Sequence, residues 1–400
     1  MTGQAKELAA RAVDAALVRQ GYSGPDLELA RRSVRDWARI RLRPRGRQGS
    51  VGGLAVVIPR PGRAELVPIE VPLAGPGEIT VELLVSAVSP GTERAQWLRL
   101  PNAQTALPYR PGYSGAGRVL VVGDDVAHVS PGDVVAVPRA PHASVATLPA
   151  AWAVRVPESV PLEQAALVYL AIISGYGVRR AALVPGAALC VLGCGPIGAL
   201  ALRLARQAGA GTLTAAARST RHEHSAGLAG ATFRLVGDGL ADVSADVVVE
   251  ATGDPGAIGS AVAAARDGGT IVLLGSPRGV SRAVPVGELR ARRLRLVGAH
   301  VSALANEAKR SGEDPFRELA LAFLTGVAAG TVPAADLAGE AINPREVGLL
   351  YRRLAAGTLA TAHLDWRLLP TEQRPRRRRV LRPPVLSALS GAVAAPVPEH

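Results

Sequence analysis

The sequence predicts an α/β protein: a small antiparallel β-barrel, then a doubly wound parallel sheet, behind a helical N-terminal extension. Three observations predict it. From about residue 52 apolar and polar residues alternate, with Pro and Gly at the turns. From about residue 160 short apolar runs alternate instead with Ala- and Leu-rich helical stretches. Between the first such run and the first helix lies a glycine-rich turn, Gly193-Cys194-Gly195-Pro196-Ile197-Gly198.

The elements follow in order. Leu8, Ala9, Ala12, Val13, Ala16 and Leu17 fall on one helical stripe. After a Gly21–Gly24 turn, Ser23 and Asp26 resemble a capping box, and a second helix through Leu27, Val34, Trp37 and Ile40 stops before Pro44. Residues 1–50 are thus a helical extension, either a docking or dimerisation element or a cap on its own protein. Residues 51–165 form the barrel, with strands Glu78–Val85, Gly117–Val122 and Asp133–Val137 separated by Gly123-Asp124-Asp125 and Pro131-Gly132-Asp133 turns. Residues 166–300 carry strands Ala188–Leu192, Thr212–Ala217, Asp246–Ala251 and Thr270–Gly275. Residues 301–370 are expected to return to the barrel, and the Pro- and Arg-rich residues 371–400 to form a disordered basic tail.

Charge narrows the function. The chain of 400 residues has a formal net charge of +13, of which residues 1–50 carry +6 and residues 371–400 carry +4. The middle is nearly balanced, so the excess does not mark a polyanion-binding core. Aromatic residues make up 3%, which leaves few stacking platforms and argues against nucleic acid. Cys190 and Cys194 are the two cysteines, too few for a disulfide framework or a four-Cys zinc lobe. With no leader-like N-terminus, the expected compartment is the reducing cytoplasm. The uncharged stretch Leu183–Leu202 contains Pro185, Pro196 and the glycine turn, and reads as a strand entering a helix rather than a membrane span.

The turn carries the chemistry. Gly193 permits the tight bend, Gly195 lets backbone approach a pyrophosphate, and Gly198 lets helix and strand pack closely. The helix that starts at Pro196 offers free N–H groups, from Ile197 onward, to phosphate oxygens. An NAD site wants a carboxylate at the end of the next strand. Here that strand ends at Ala217 and runs into Arg218-Ser219-Thr220-Arg221. Arg218, Ser219 and Arg221 suit a phosphate, so NADP is favoured, with NAD as the alternative.

The order of parts, with Gly132–Val137, Val156–Pro161, Glu163-Gln-Ala-Ala, Ser174-Gly-Tyr-Gly177, Glu250-Ala-Thr-Gly253 and Gly268–Gly275, resembles the medium-chain dehydrogenase/reductase superfamily over residues 52–368. The resemblance implies a GroES-like barrel as catalytic domain and a Rossmann domain for the coenzyme. It implies Ser174 beside the nicotinamide, and Thr252, Gly253 and Gly275 along the coenzyme cleft. Zinc-dependent members carry ligands where this chain reads Val88-Ser89, Tyr113-Ser114 and Tyr169-Leu170, so no metal ligands are expected and the chain resembles zinc-independent members. Its Ser89-Pro-Gly-Thr-Glu93 and Pro111–Gly117 phrases are similar to those of bacteriochlorophyllide- and sugar-dehydrogenase-like members.

Without a Lewis acid, the reaction needs a proton donor. Tyr113 is the first candidate, with His142 and Glu93 as relay or substrate-orienting groups; His300 is a further candidate, and His222 with His224 reads as a solvated pair. The expected activity is alcohol–ketone interconversion on a small-molecule substrate by a homodimer with no membrane association. The alternatives are an NADPH-dependent reductase of enone or quinone C=C bonds, and a non-catalytic nucleotide-binding protein whose basic ends bind nucleic acid.

Overall fold

A computed structural model describes residues 49–377, apart from 282, 283 and 313. The expected helical extension, and the tail beyond residue 377, lie outside the described residues.

The chain opens with a long hairpin, β1 (Ser50–Arg60) and β2 (Arg63–Pro72), followed by β3 (Glu78–Ala87) and the helix Pro90–Trp97. Then come β4 (Ser114–Val122), β5 (Val134–Pro138), β6 (Val145–Pro149) and β7 (Val154–Arg155). The helix Val168–Arg180 leads into β8 (Leu189–Leu192), the helix Pro196–Gln207, β9 (Leu213–Ala217), β10 (Thr232–Leu235), β11 (Ala245–Glu250), β12 (Ala265–Leu273) and β13 (Arg295–Gly298). After three helices, β14 (Glu340–Ile342), the helix Val347–Ala356, β15 (Ala362–Asp365) and β16 (Arg376–Arg377) close the described chain.

Three sheets result. The parallel sheet has strand order β10-β9-β8-β11-β12-β13, the doubly wound arrangement expected from the alternating pattern. Its crevice opens where the order reverses, between β8 and β11, at the carboxyl ends of the strands. A seven-stranded barrel sheet runs β14-β15-β3-β4-β5-β7, with β6 on β3. The third sheet, β16-β1-β2, wraps the outside of the barrel. β3 is central, with β4 along one edge and β6 and β15 along the other, and most of its residues are buried.

Two boundaries differ from expectation. The helices Leu304–Ser311 and Pro315–Ala328 precede the return to the barrel sheet and lie between the two units, Arg317 donating to the Ala153 carbonyl at 3.3 Å. The second packs on Val168–Arg180, with Phe323 and Leu324 buried in the same core as Leu200 and Val191 of the parallel-sheet unit. The return begins at β14, and β15 pairs antiparallel with β3 through His363–Ala87 and Leu364–Ser86. The expected tail is structured at its start: Val51 and Gly52 pair with Arg377 and Arg376. The open edge of β1 offers unpaired backbone groups, and this short strand satisfies them despite its arginines. Among the described residues no helix is long and apolar enough to cross a membrane.

Candidate active site

A cavity of about 870 Å³ lies between the barrel and the parallel-sheet unit. Its floor is the glycine turn. Gly193 adopts φ +89°, and a Cβ there would meet Thr252 at 2.8 Å. A Cβ on Gly198 would lie 1.8 Å from the Gly193 carbonyl oxygen, so helix and strand touch through backbone alone. A Cβ on Gly195 would meet nothing within 4 Å, which leaves its backbone open to a ligand from the cavity. Pro196 occupies the first turn of the following helix, where its missing N–H costs nothing. Ile197 lines the cavity beside it.

Thr252, Gly253 and Gly275 line the same cavity. They are held by Glu250, which the sequence reading had only as part of a motif. Its Oε1 accepts from the Thr252 N–H (2.6 Å), the Thr252 hydroxyl and the Gly253 N–H (3.2 Å). The loops after β11 and β12 nest so closely that a Cβ on Gly275 would lie 2.4 Å from the Gly253 nitrogen.

At the next strand end, Arg218, Ser219 and Arg221 reach the cavity. The Arg218 side chain is 85% exposed and 3.4 Å from Asp254. Arg221 donates to the Gly357 carbonyl at 2.7 Å, placing its charge at the C-terminal end of helix Val347–Ala356. His222 and His300 also line the cavity; His300 Nδ1 lies 2.6 Å from the Ser302 hydroxyl.

The barrel end of the cavity is a cluster of hydroxyls. Ser89 precedes the helix Pro90–Trp97, and Tyr113 follows Gly112, whose φ of +90° lets the chain pass within contact of the His142 backbone. The Tyr113 hydroxyl donates to Ser89 Oγ, with Thr92 Oγ1 at 3.5 Å, and its ring meets Tyr169 edge-on at 5.3 Å. Burial pushes the Tyr113 phenol up to about 12, reinforced by nearby Glu93 and opposed by the Ser89 and Thr92 hydrogen bonds. Tyr113 therefore holds its proton across the physiological range.

Three expected site residues turn away from the cavity. Glu93 is 1% exposed and His142 fully buried. The Glu93 carboxylate accepts from the Ser89 N–H (2.8 Å) and the Tyr351 hydroxyl (2.6 Å), and both its oxygens lie 3.2 Å from His142 Nε2. His142 Nδ1 lies 2.8 Å from Ser86 Oγ, which also accepts from Trp366 Nε1 at 3.0 Å. Trp366 can only donate, which leaves the Ser86 hydroxyl a second lone pair and its own proton for Nδ1, while Nε2 faces the Glu93 carboxylate, which can only accept. A carboxylate in so apolar a place needs these partners. Glu93 and His142 thus brace the helix that presents Ser89, and neither lines the cavity. Ser174 is also fully buried, its hydroxyl donating to the Leu170 (3.0 Å) and Ile197 (2.8 Å) carbonyls. It ties helix Val168–Arg180 to the glycine turn, and Tyr169, Leu170 and Ile173 face the cavity in its place.

The sequence reading missed Asn102 and Arg278. Asn102 Nδ2 donates to the Pro277 carbonyl at 3.1 Å, joining a barrel loop to the loop after β12. Arg278 lines the cavity from that loop. Neither belongs to a local motif, so no spacing rule announces them. Among the described residues, Glu163, His363 and Asp365 form a cluster of metal-ligand types. Arg367 donates to both of its carboxylates and His363 Nδ1 lies 2.9 Å from the Ala338 carbonyl, so a guanidinium occupies the place of a cation.

No protein-family model matches the chain. Sorbitol dehydrogenase of Gallus gallus is 27% identical over 266 residues, 56% of this chain and 75% of the relative. Among solved structures, 2R,3R-butanediol dehydrogenase from Bacillus subtilis superposes with a TM-score of 0.65 at 19% identity, over 78% of this chain and 99% of the other. A dehydrogenase of Sinorhizobium meliloti 1021, assigned as zinc-binding and solved bound to NADP, gives 0.65 at 20% identity, over 80% of this chain and 100% of the other.

Proposed function

Given a chain that belongs to the medium-chain dehydrogenase/reductase superfamily, we propose that it interconverts an alcohol and a ketone with NADP as hydride carrier and without zinc. One observation carries this reading. The open glycine turn and the Ser89–Tyr113 hydroxyl pair face a single cavity, so a dinucleotide and a carbonyl fit side by side.

The residues fit the cofactor. The backbone around Gly195 and the helix start at Pro196 suit a pyrophosphate, while Arg218 and Ser219 suit a 2′-phosphate. The bound nicotinamide supplies or accepts the hydride. The residues do not fit zinc. Ser89, Thr92 and Tyr113 offer neutral hydroxyls at the barrel end, whereas Zn²⁺ is held by thiolate, imidazole or carboxylate. Proton movement falls to the hydroxyls. Because Tyr113 donates to Ser89, the Ser89 O–H is free to point at a carbonyl oxygen. In the reducing direction Ser89 gives its proton to the developing alkoxide and is reprotonated from Tyr113, which in turn regains a proton from water in the cavity, so that each turnover consumes one solvent proton.

Titration with NADPH and NADH, followed by turnover on a ketone panel and metal analysis of the purified protein, tests this. The reading expects NADPH to bind at least about 10-fold more tightly, and ketones to be reduced by protein free of zinc. Tighter NADH binding overturns the cofactor assignment. Stoichiometric zinc overturns the mechanism.

A further inference from the structure

Four arginines line the cavity, against one carboxylate, Asp254. Three of the four have partners that explain them. Arg94 donates to the Ala355 carbonyl (3.3 Å), Arg221 to the Gly357 carbonyl (2.7 Å), and Arg218 pairs with Asp254 (3.4 Å). Arg278 is different. Its side-chain hydrogen bond is to the neutral Ser276 hydroxyl at 3.2 Å, and no carboxylate among the described residues pairs with it.

The loop around Arg278 is firmly placed. The Arg278 N–H donates to the Gly253 carbonyl at 3.0 Å, and the Pro277 carbonyl accepts from Asn102 of the barrel at 3.1 Å. This puts the guanidinium where the barrel loop meets the parallel-sheet unit. It lies within electrostatic reach of Tyr113, whereas Arg218 and Arg221 sit beyond the glycine turn at the end of β9. The side chain is half-buried, and burial works against its charge. A half-buried guanidinium without a counter-charge is costly unless something anionic visits it. Its planar fork matches a carboxylate or phosphate. The same cavity also presents apolar side chains, Leu100, Leu170 and Ile173, and its one acid, Asp254, is engaged with Arg218.

We propose that the substrate of this enzyme carries an anionic group, a carboxylate or phosphate, which Arg278 binds while the reacting carbonyl lies at Ser89 and Tyr113. The inference rests on the hydride-transfer reading above. It adds a specificity-determining residue and a substrate class: carbonyl compounds with an acidic group, reached across an apolar span.

Binding to the NADPH-loaded protein separates the possibilities. NADPH is titrated first, into wild type, Arg278→Gln and Arg278→Lys. Benzoate and phenyl phosphate, with benzamide and phenol as neutral counterparts, are then titrated into each saturated complex by calorimetry. The proposal expects at least one anion to bind wild type more tightly than its neutral counterpart. It expects Arg278→Gln to weaken that anion about 10- to 100-fold, the loss of a charge-assisted bond, with the neutral probes unchanged and Arg278→Lys in between. Whichever anion responds identifies the group. Equal loss for neutral probes, or no anion binding to wild type, overturns the proposal. So does a matching loss of NADPH affinity, which makes Arg278 a cofactor ligand. Failure of wild type to bind NADPH is read in the first titration, and takes down the dinucleotide reading together with this one.

Discussion

At one end of the cavity the wall is backbone; at the other it is side chains gathered from distant segments. The glycine turn spans six consecutive residues, and its shape follows from what is missing, a Cβ at Gly193 and Gly198. The hydroxyl end draws Ser89, Thr92, Tyr113 and Tyr169 from three segments, and rests on Glu93, His142, Tyr351 and Trp366 behind them. A backbone site tolerates almost any neighbour but not a methyl group. A side-chain site tolerates small steric changes but depends on buried partners that never touch a ligand. The two ends should therefore fail in different ways.

The largest expected effect is behind the hydroxyl end. Glu93→Ala leaves the Tyr351 hydroxyl, His142 Nε2 and the Ser89 N–H without their acceptor, and should destabilise the fold by about 3–5 kcal/mol, read by urea unfolding. A stable variant with lost turnover would instead restore Glu93 as a relay. Next, Tyr113→Phe should lower ketone reduction about 10²- to 10³-fold, with NADPH affinity and melting temperature little changed. An unchanged rate would remove Tyr113 from the proton path.

The glycine end is tested by a pair. Gly198→Ala drives a Cβ into the Gly193 carbonyl and should cost about 3 kcal/mol of stability. Gly195→Ala meets nothing in the protein and should melt like wild type, while weakening NADPH about 10-fold. If both variants lose stability alike, the contrast between the ends collapses. A smaller effect is expected of Arg218→Ala: about 10-fold weaker NADPH, with NADH affinity unchanged, since its Asp254 partner is exposed and adds little.

The pH response has a definite sign. The Tyr113 phenol is raised from 10.0 to about 12 in the folded protein, so between those values the native state holds a proton that the unfolded chain has lost. Its contribution to stability is fully present below pH 10 and disappears as pH rises through about 12. Tyr113→Phe should therefore flatten the alkaline fall in stability, measured by unfolding midpoints at pH 9, 10 and 11. A steeper fall in the variant would contradict the burial of that hydroxyl.

Much of the fold was legible because it is written locally. The strands Ala188–Leu192 and Thr212–Ala217 and the turn between them declare themselves through short apolar runs and glycine spacing, and they form as β8, β9 and a nested turn. The site was legible only where backbone makes it. Ser174, His142 and Glu93 are residue types that do chemistry in a cleft, yet here each is spent on a partner 23 to 258 residues away in sequence. Arg278 showed no pattern at all. Its place depends on where Asn102 meets Pro277, a contact across 175 residues.

By itself the sequence determined the order of parts, the doubly wound sheet and the glycine-rich turn, because periodicity, glycine conformation and helix starts act over a few neighbouring residues. Only the tertiary structure decided which polar side chains face the cavity and which brace it. That choice is made by burial and by competition for hydrogen-bond partners, and both are settled by residues far away in the chain.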